Sequence, residues 1–353
     1  MQWWDRMLAG RLTTPAWAIC FLIVAVACGL LAWFLKRKDR RLWLVPLVIA
    51  IVALLIGIAA GLNTYFGWRI NIYDLTGKDP APPEINQGED WPSDTSRGVH
   101  VNAMIPGPLS GIAEQPADIW LPPQYFTQVN RPLPLIYAYH GTPGTPDDWF
   151  NDGDGQQSGQ VLANERQPVI LVAPTAAPVD VDSECVNGTA GNWDTYLSQD
   201  VPNWVAQRYR LKAGPGHTAT AGLSMGGYCA QMLALRYPDK FSAAGNFSGT
   251  TSADFAGGLP ALFGPVPNLA ATTDSYSSTW LIQHHATSRN VAVWLEVGTN
   301  DSESLVKDQA KYYKLAKSIT KDTRFKTIGG AHTKGVWSDA FYHYLEWVYP
   351  KIK

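Results

Sequence analysis

The sequence predicts an α/β protein, a mostly parallel sheet flanked by helices, standing behind a hairpin of two membrane-spanning helices. Three features carry this reading. Two long uncharged apolar runs lie near the N-terminus, and strand-length apolar runs alternate with amphipathic helices from residue 99 onward. A Gly-x-Ser-x-Gly sequence falls between one such strand and the helix after it.

The apolar runs come first in the chain. Residues Ala16 to Leu35 and Leu42 to Leu62 contain no charged side chain. At about 1.5 Å per residue each spans roughly 30 Å, the thickness of a bilayer's hydrocarbon core. They predict a hairpin over 1–68 with helices at about 16–35 and 42–64. Trp17, Trp33, Trp43, Tyr65 and Trp68 stand near the ends, where amphipathic rings favour the interface. The connector carries Lys36, Arg37, Lys38, Arg40 and Arg41, so it is expected to stay cytoplasmic, with both termini and the rest of the chain on the other side. A cleavable signal peptide fits less well, because the first run is long and a second span follows at once.

Composition narrows the rest. The 353 residues are 46% hydrophobic and 16% charged, and the charge deficit is concentrated in the hairpin. Residues 1–68 carry a formal charge of +5 and the remainder −7, which offers no basic surface for nucleic acid. Fifteen Trp and fifteen Tyr supply enough apolar area to order a chain of this size. The four Cys show no paired C-x-x-C spacing, and no set of His, Cys, Asp and Glu has metal-ligand spacing, so neither metal nor cofactor is expected. Residues 69–98 read as a linker, rich in Pro and acid over 78–97.

From 99 to 353 the chain reads as one exported domain. Strands are expected at Val99–Ile105, Ala117–Leu121, Leu133–Tyr139, Val169–Ala173, Thr218–Ala221, Ala243–Phe247, Val291–Val297 and Arg324–Ile328. Several are near-continuous apolar runs, as in strands covered on both faces. Helices are expected at Tyr196–Tyr209, Met225–Tyr237, Ser304–Ser318 and Val336–Val348. Such alternation implies a parallel sheet wrapped by helices, with chemistry at the carboxyl ends of the strands.

The sequence Gly222-Leu-Ser224-Met-Gly226-Gly227 occupies such an end. Small residues two before and two after the serine allow a sharp strand-to-helix turn that projects its hydroxyl. A serine needs a base to take its proton and an acid to orient that base, in the chain order Ser, acid, His. Asp301 follows the strand ending at Val297, and His332 lies on the glycine-rich loop after the strand ending at Ile328. Glu296 is the rival acid, within its strand rather than past it. The loop after Tyr139, His140-Gly141-Thr142, is placed to give a backbone N–H from Gly141 or Thr142 which, with that of Met225, forms an oxyanion hole. His140 itself reads as a brace for that loop.

These separated motifs, together with Trp193-Asp194-Thr-Tyr-Leu-Ser-Gln-Asp-Val-Pro-Asn-Trp204 and Phe247-Ser-Gly, resemble the esterase D / antigen 85 branch of the α/β-hydrolases over roughly residues 99–350. The resemblance implies an α/β-hydrolase fold and a serine carboxylesterase. In the antigen 85 members it implies an acyltransferase that moves mycolic acids onto trehalose-linked lipids. A tethered form looks like an actinobacterial cell-envelope protein. The elbow reads Ser-Met-Gly-Gly, closer to plain esterases than to the Ser-Met-Ala of many transferases. Asp301 stands where those transferases use Glu, and Gly141–Asp154 lacks their Arg.

The expected substrate is an acyl-ester lipid or glycolipid beside the bilayer, with a membrane protein partner left open. Trp149, Trp193 and Trp280 are the candidate substrate-binding residues. The long segment Thr250–Asn290 reads either as a cap whose Phe255, Leu259, Leu262, Phe263, Trp280 and Leu281 line an apolar groove, or as a structural excursion. Asp147, Asp148, Asp152 and Asp154 read as a solvated rim. Cys185 and Cys229 lie on the exported side, where a disulfide can persist; the sequence leaves their pairing open.

Overall fold

The computed structural model describes residues 12, 15–38, 41–66, 84–150, 166–212 and 214–353. Connector residues Asp39 and Arg40, Trp68, most of the linker, and Asp152 and Asp154 lie outside them. The described chain divides into two compact units, one over 1–80 with 333–336 and the other holding the remainder.

The first unit is a helical hairpin, α1 (Pro15–Arg37) and α2 (Leu44–Phe66). Both helices are long and apolar enough to cross a membrane. Their outward side chains are exposed; Ile23, Leu30 and Leu55 show 62, 62 and 61% of their surface. The helices meet through small residues. A Cβ on Gly57 would stand 3.4 Å from the Phe21 Cβ, and one on Gly61 would stand 3.9 Å from the Ala18 Cβ. Close backbone approach of this kind supplies the packing contact available to helices in lipid. At the basic end, Lys36, Arg37 and Lys38 lie over the rings of Trp43, Trp33 and Phe34 at 4.9, 4.0 and 4.4 Å.

The second unit is built on a nine-stranded sheet. Its strands are β1 (Glu84–Asn86), β2 (Val99–Ile105), β3 (Gln115–Leu121), β4 (Leu135–Tyr139), β5 (Ile170–Pro174), β8 (Thr218–Leu223), β9 (Ala243–Phe247), β10 (Ala292–Gly298) and β11 (Thr323–Ile328). The strand order is β1-β2-β3-β5-β4-β8-β9-β10-β11. A two-residue hairpin, β6 (Asn187–Gly188) and β7 (Gly191–Asn192), stands apart. β3 runs antiparallel to both β2 and β5, and every other pairing in the large sheet is parallel. β1 pairs with β2 through Glu84↔His100, so the folded unit starts ahead of the linker boundary expected at residue 98. Ile85, packed against the core, is the apolar anchor that draws this polar segment onto the sheet edge.

Strand residues alternate between two cores. Leu135, Tyr137 and Tyr139 of β4 face one layer, and Ile136 and Ala138 face the other; Ile170 and Val172 of β5 are set against Leu171 and Ala173 in the same way. The first layer is completed by α4 (Val201–Arg208), which follows a short α3 (Pro123–Thr127), and by α5 (Met225–Arg236). The second is covered by α10 (Lys334–Ile352), whose Phe341, Tyr344, Leu345 and Val348 are wholly buried. Between β9 and β10 the long segment forms α6 (Leu259–Phe263), α7 (Leu269–Ser275) and α8 (Ser278–His284), while α9 (Glu303–Ala316) follows β10. Leu262, Phe263 and Leu281 are 1, 5 and 1% exposed and join the first core, with Phe255, Leu259 and Trp280 packed against it, so the six apolar side chains serve packing, while the start of the segment, Thr250 to Asp254, borders the cleft over Ser224.

Candidate active site

β8 ends at Leu223 and α5 begins at Met225, leaving Ser224 alone in the turn at φ 54°, ψ −124°. This left-handed backbone is sparsely populated for a residue with a Cβ and persists only where surroundings impose it. They do so here through close contact. A Cβ on Gly222 would lie 1.9 Å from the Gly226 carbonyl oxygen, and one on Gly226 would lie 2.2 Å from that of Tyr139. The Ser224 N–H donates to the Phe247 carbonyl at 2.8 Å, which fixes the turn to β9.

The Ser224 Oγ stands 2.9 Å from His332 Nε2. His332 Nδ1 stands 2.9 and 3.1 Å from the two carboxylate oxygens of Asp301. Asp301 lies just past β10, and its carboxyl is 3% exposed while the imidazole is 42% exposed. Burial pushes the Asp301 carboxyl up, but the His332 hydrogen bond and charge, with the Ser302 N–H, outweigh it and hold its pKa below the usual value. An ionised carboxylate there keeps Nδ1 protonated and leaves Nε2 free to accept the serine proton. Asp301→Asn is expected to lower ester hydrolysis by about 10⁴-fold with little change in Tm, measured by steady-state kinetics and thermal melting.

The rival Glu296 is committed elsewhere. It is 1% exposed, and its two oxygens accept the Trp294 Nε1–H and bond to His343 Nδ1, each at 2.9 Å. His140 braces its loop. The Ala176 N–H donates to Nε2 at 2.9 Å, which leaves the proton on Nδ1 to bond the Gly141 carbonyl at 2.7 Å. Burial holds its pKa below the ordinary value, consistent with a neutral brace.

A cleft of about 500 Å³ opens over the serine, lined by Thr142, Met225 and His332 among others. Met225 begins α5, where its N–H has no carbonyl within the helix to bond. The Thr142 hydroxyl lies 2.9 Å from the Met225 sulfur, which ties the two candidate oxyanion donors together. Gly141 does not line the cleft; it packs behind, where a Cβ would stand 3.1 and 3.2 Å from Leu223 Cδ1 and Ser224 Cβ.

The three tryptophans expected at the substrate stand elsewhere. None lines the cleft. Trp149, 3% exposed, packs edge-on against Phe341 beneath α10 at 4.9 Å. Trp193, 2% exposed, donates its indole N–H to the Ala190 carbonyl and meets Tyr196. Trp280 leans on the first core and stacks on His284 at 4.4 Å. Each large ring gains more from burial than from a polar cleft. The rest of the Trp193–Trp204 motif is also structural. Asp194 is paired with Arg236 at 3.1 Å, and Asp200 accepts the N–H groups of Leu109 and Ser110, each at 2.9 Å.

Sequence reasoning missed the cleft's acidic wall, Asp182, Glu184, Asp254 and Asp308. Burial, reinforced by Asp182, pushes the Glu184 carboxyl up to about 8. The folded state therefore holds this proton up to about pH 8, whereas the unfolded chain releases it near 4.5. Stability contributed by the protonated form is lost as pH rises between those values. Glu184→Gln is expected to shrink the fall in Tm between pH 5 and 9, measured by calorimetry against the unmodified chain. Cys185, next to Glu184, is joined to Cys229 of α5 by a disulfide, which answers the pairing the sequence left open.

A serine on a strained turn between a parallel strand and a buried helix, backed by histidine and a late acid, defines the α/β-hydrolases. Residues 113–347 match the family model described as "Putative esterase", and the chain belongs to that family, in its esterase D / antigen 85-like branch. Its chemistry is that of a carboxylesterase or an acyltransferase. An uncharacterized protein of Corynebacterium glutamicum is 25% identical over 94% of this chain and 81% of its own. The MPT51/MPB51 antigen of Mycobacterium tuberculosis is 28% identical over 58% of this chain and 67% of its own. Among solved structures, a ferulic acid esterase superposes with TM-score 0.60 at 20% identity, covering 72% of this chain and 99% of that one, which shows the shared fold.

Proposed function

We propose that the protein is a membrane-tethered serine esterase acting outside the cytoplasm on acyl esters of the cell envelope. The observation that carries this reading is the continuous hydrogen-bonded series Asp301, His332, Ser224 at the floor of the cleft. Ser224 attacks the ester carbonyl as His332 takes its proton. The N–H groups of Met225 and Thr142 hold the oxyanion, His332 returns the proton to the departing alcohol, and water then releases the acyl group by the same steps reversed.

The location is supported by the disulfide, which persists in oxidising surroundings, and by the basic connector between the two helices, which favours the cytoplasmic side. Tethering keeps the cleft near lipid esters. The half-exposed imidazole leaves room for water or for an acceptor hydroxyl, so transfer of the acyl group to a sugar is the second reading. The Ser-Met-Gly-Gly elbow and the absence of Arg from Gly141–Asp154 favour water.

The test uses the full chain in vesicles containing a glycolipid labelled in its acyl group. Release of free labelled acid, absent in Ser224→Ala, supports hydrolysis. A new labelled acylated sugar assigns transfer, and no labelled product from any acyl lipid sinks the lipid-ester reading.

A further inference from the structure

One wall of the cleft is acidic without a matching base. Asp182, Glu184, Asp254 and Asp308 line it, and His332 is the sole side chain capable of positive charge among the described residues that do so. Asp308 is already engaged, accepting the Thr251 N–H at 2.7 Å and bonding its hydroxyl at 3.1 Å. Asp182 accepts the Glu184 N–H at 3.0 Å. The Glu184 carboxyl takes a backbone hydrogen bond from Asp254 but is satisfied on one side only. Glu184 is 4% exposed, and its Oε2 is buried without a hydrogen-bond partner.

This carboxyl is held there by construction. Glu184 and Cys185 both take left-handed backbone angles, φ 46° and 50°, which cost energy for side-chain-bearing residues. The Cys185–Cys229 bridge fixes the pair to the helix that follows Ser224, and the Ser183 hydroxyl bonds the Ala176 carbonyl at 2.8 Å while accepting the Cys185 N–H at 3.0 Å. A buried acceptor left unsatisfied destabilises the fold, and a ligand that satisfies it recovers that energy on binding.

We propose that this acidic wall is a subsite for a protonated primary amine carried by the ester substrate. The proposal rests on the esterase reading above and names the substrate class within it: an ester with an amine a few atoms from the bond that is cut. A neutral hydroxyl can donate one hydrogen bond to Glu184 Oε2, but it leaves the repulsion between Asp182 and Asp254 in place. An ammonium brings three donors and a charge that attracts each carboxylate. A quaternary ammonium fits less well, because no Phe, Tyr or Trp ring stands among the described lining residues to cage it. The same wall repels esters bearing carboxylate or phosphate. Burial, then Asp182, raise the free Glu184 carboxyl's affinity for its proton, so amine binding near neutral pH displaces that proton.

Two series of matched esters test this on the full chain in detergent. One varies the alcohol: 6-aminohexyl, 6-hydroxyhexyl and heptyl acetate. The other varies the acyl group: phenyl 6-aminohexanoate, 6-hydroxyhexanoate and heptanoate. In one series the amine ester is expected to exceed both neutral esters in kcat/KM by roughly tenfold or more. That ratio is expected to collapse in Glu184→Gln and to narrow in Asp254→Asn, whose exposed rim position leaves folding undisturbed. Equal rates, or a lead for the hydroxyl ester, in both series overturns the subsite while Ser224-dependent hydrolysis keeps the esterase reading. An amine preference that survives both substitutions overturns the assignment to this wall. No Ser224-dependent hydrolysis of any ester removes the esterase reading, and the subsite falls with it.

Discussion

Ser224→Ala lowers kcat/KM for any hydrolysed ester by about 10⁴-fold or more and abolishes labelling by a fluorophosphonate probe. The expectation comes from geometry. The hydroxyl is the atom within 2.9 Å of the imidazole, on a turn that presents it to the cleft. Removing Oγ leaves the Met225 and Thr142 N–H groups in place, so weak residual turnover through oxyanion stabilisation remains. The Tm should change little, because Ser224 supports its neighbours through backbone bonds that alanine retains. Labelling that persists in the alanine variant removes Ser224 from its role. A loss of labelling that accompanies unfolding would be separated by the melting curve.

Gly226→Ala is expected to be among the most damaging single-methyl changes in the second unit, costing about 3 kcal/mol or more and most of the activity. The new Cβ would meet the carbonyl oxygens of Tyr139 and His140 at 2.2 and 2.4 Å. Both are main-chain atoms of the β4 end, so no side chain can swing aside. Relief requires α5 to lift away from β4, which moves Met225 from Thr142 and tilts the serine turn. Gly216→Ala is the control, since nothing lies within 4 Å of its added methyl. Thermal melting and probe labelling of the two variants decide the matter: a Gly226→Ala protein as stable and as reactive as Gly216→Ala contradicts the close-packed elbow.

Much of this architecture was legible in the residues. Val99–Ile105 and Ala243–Phe247 form strands over the bounds that their apolar runs indicate. The Ser224, Asp301 and His332 positions follow from strand ends, because a parallel sheet brings those ends to one edge. Leu133–Tyr139 begins late, at Leu135, since Pro134 has no N–H for the ladder. β1 escaped notice because Glu84–Asn86 is short and polar, an edge strand with one apolar residue. The tryptophans misled because ring size says how much area is to be buried without saying on which side of a loop. The acidic wall left no signal at all. Its four carboxylates come from the 182–184 loop, the segment after β9 and α9, and neither period nor motif links them.

The Cys185–Cys229 bridge closes residues 185–229 into a covalent ring that contains α4, β8 and Ser224. A protease that nicks this ring once leaves one molecule, which separates into two pieces only after a thiol is added. Comparing gel mobility with and without reductant therefore distinguishes a cut inside the loop from one outside it.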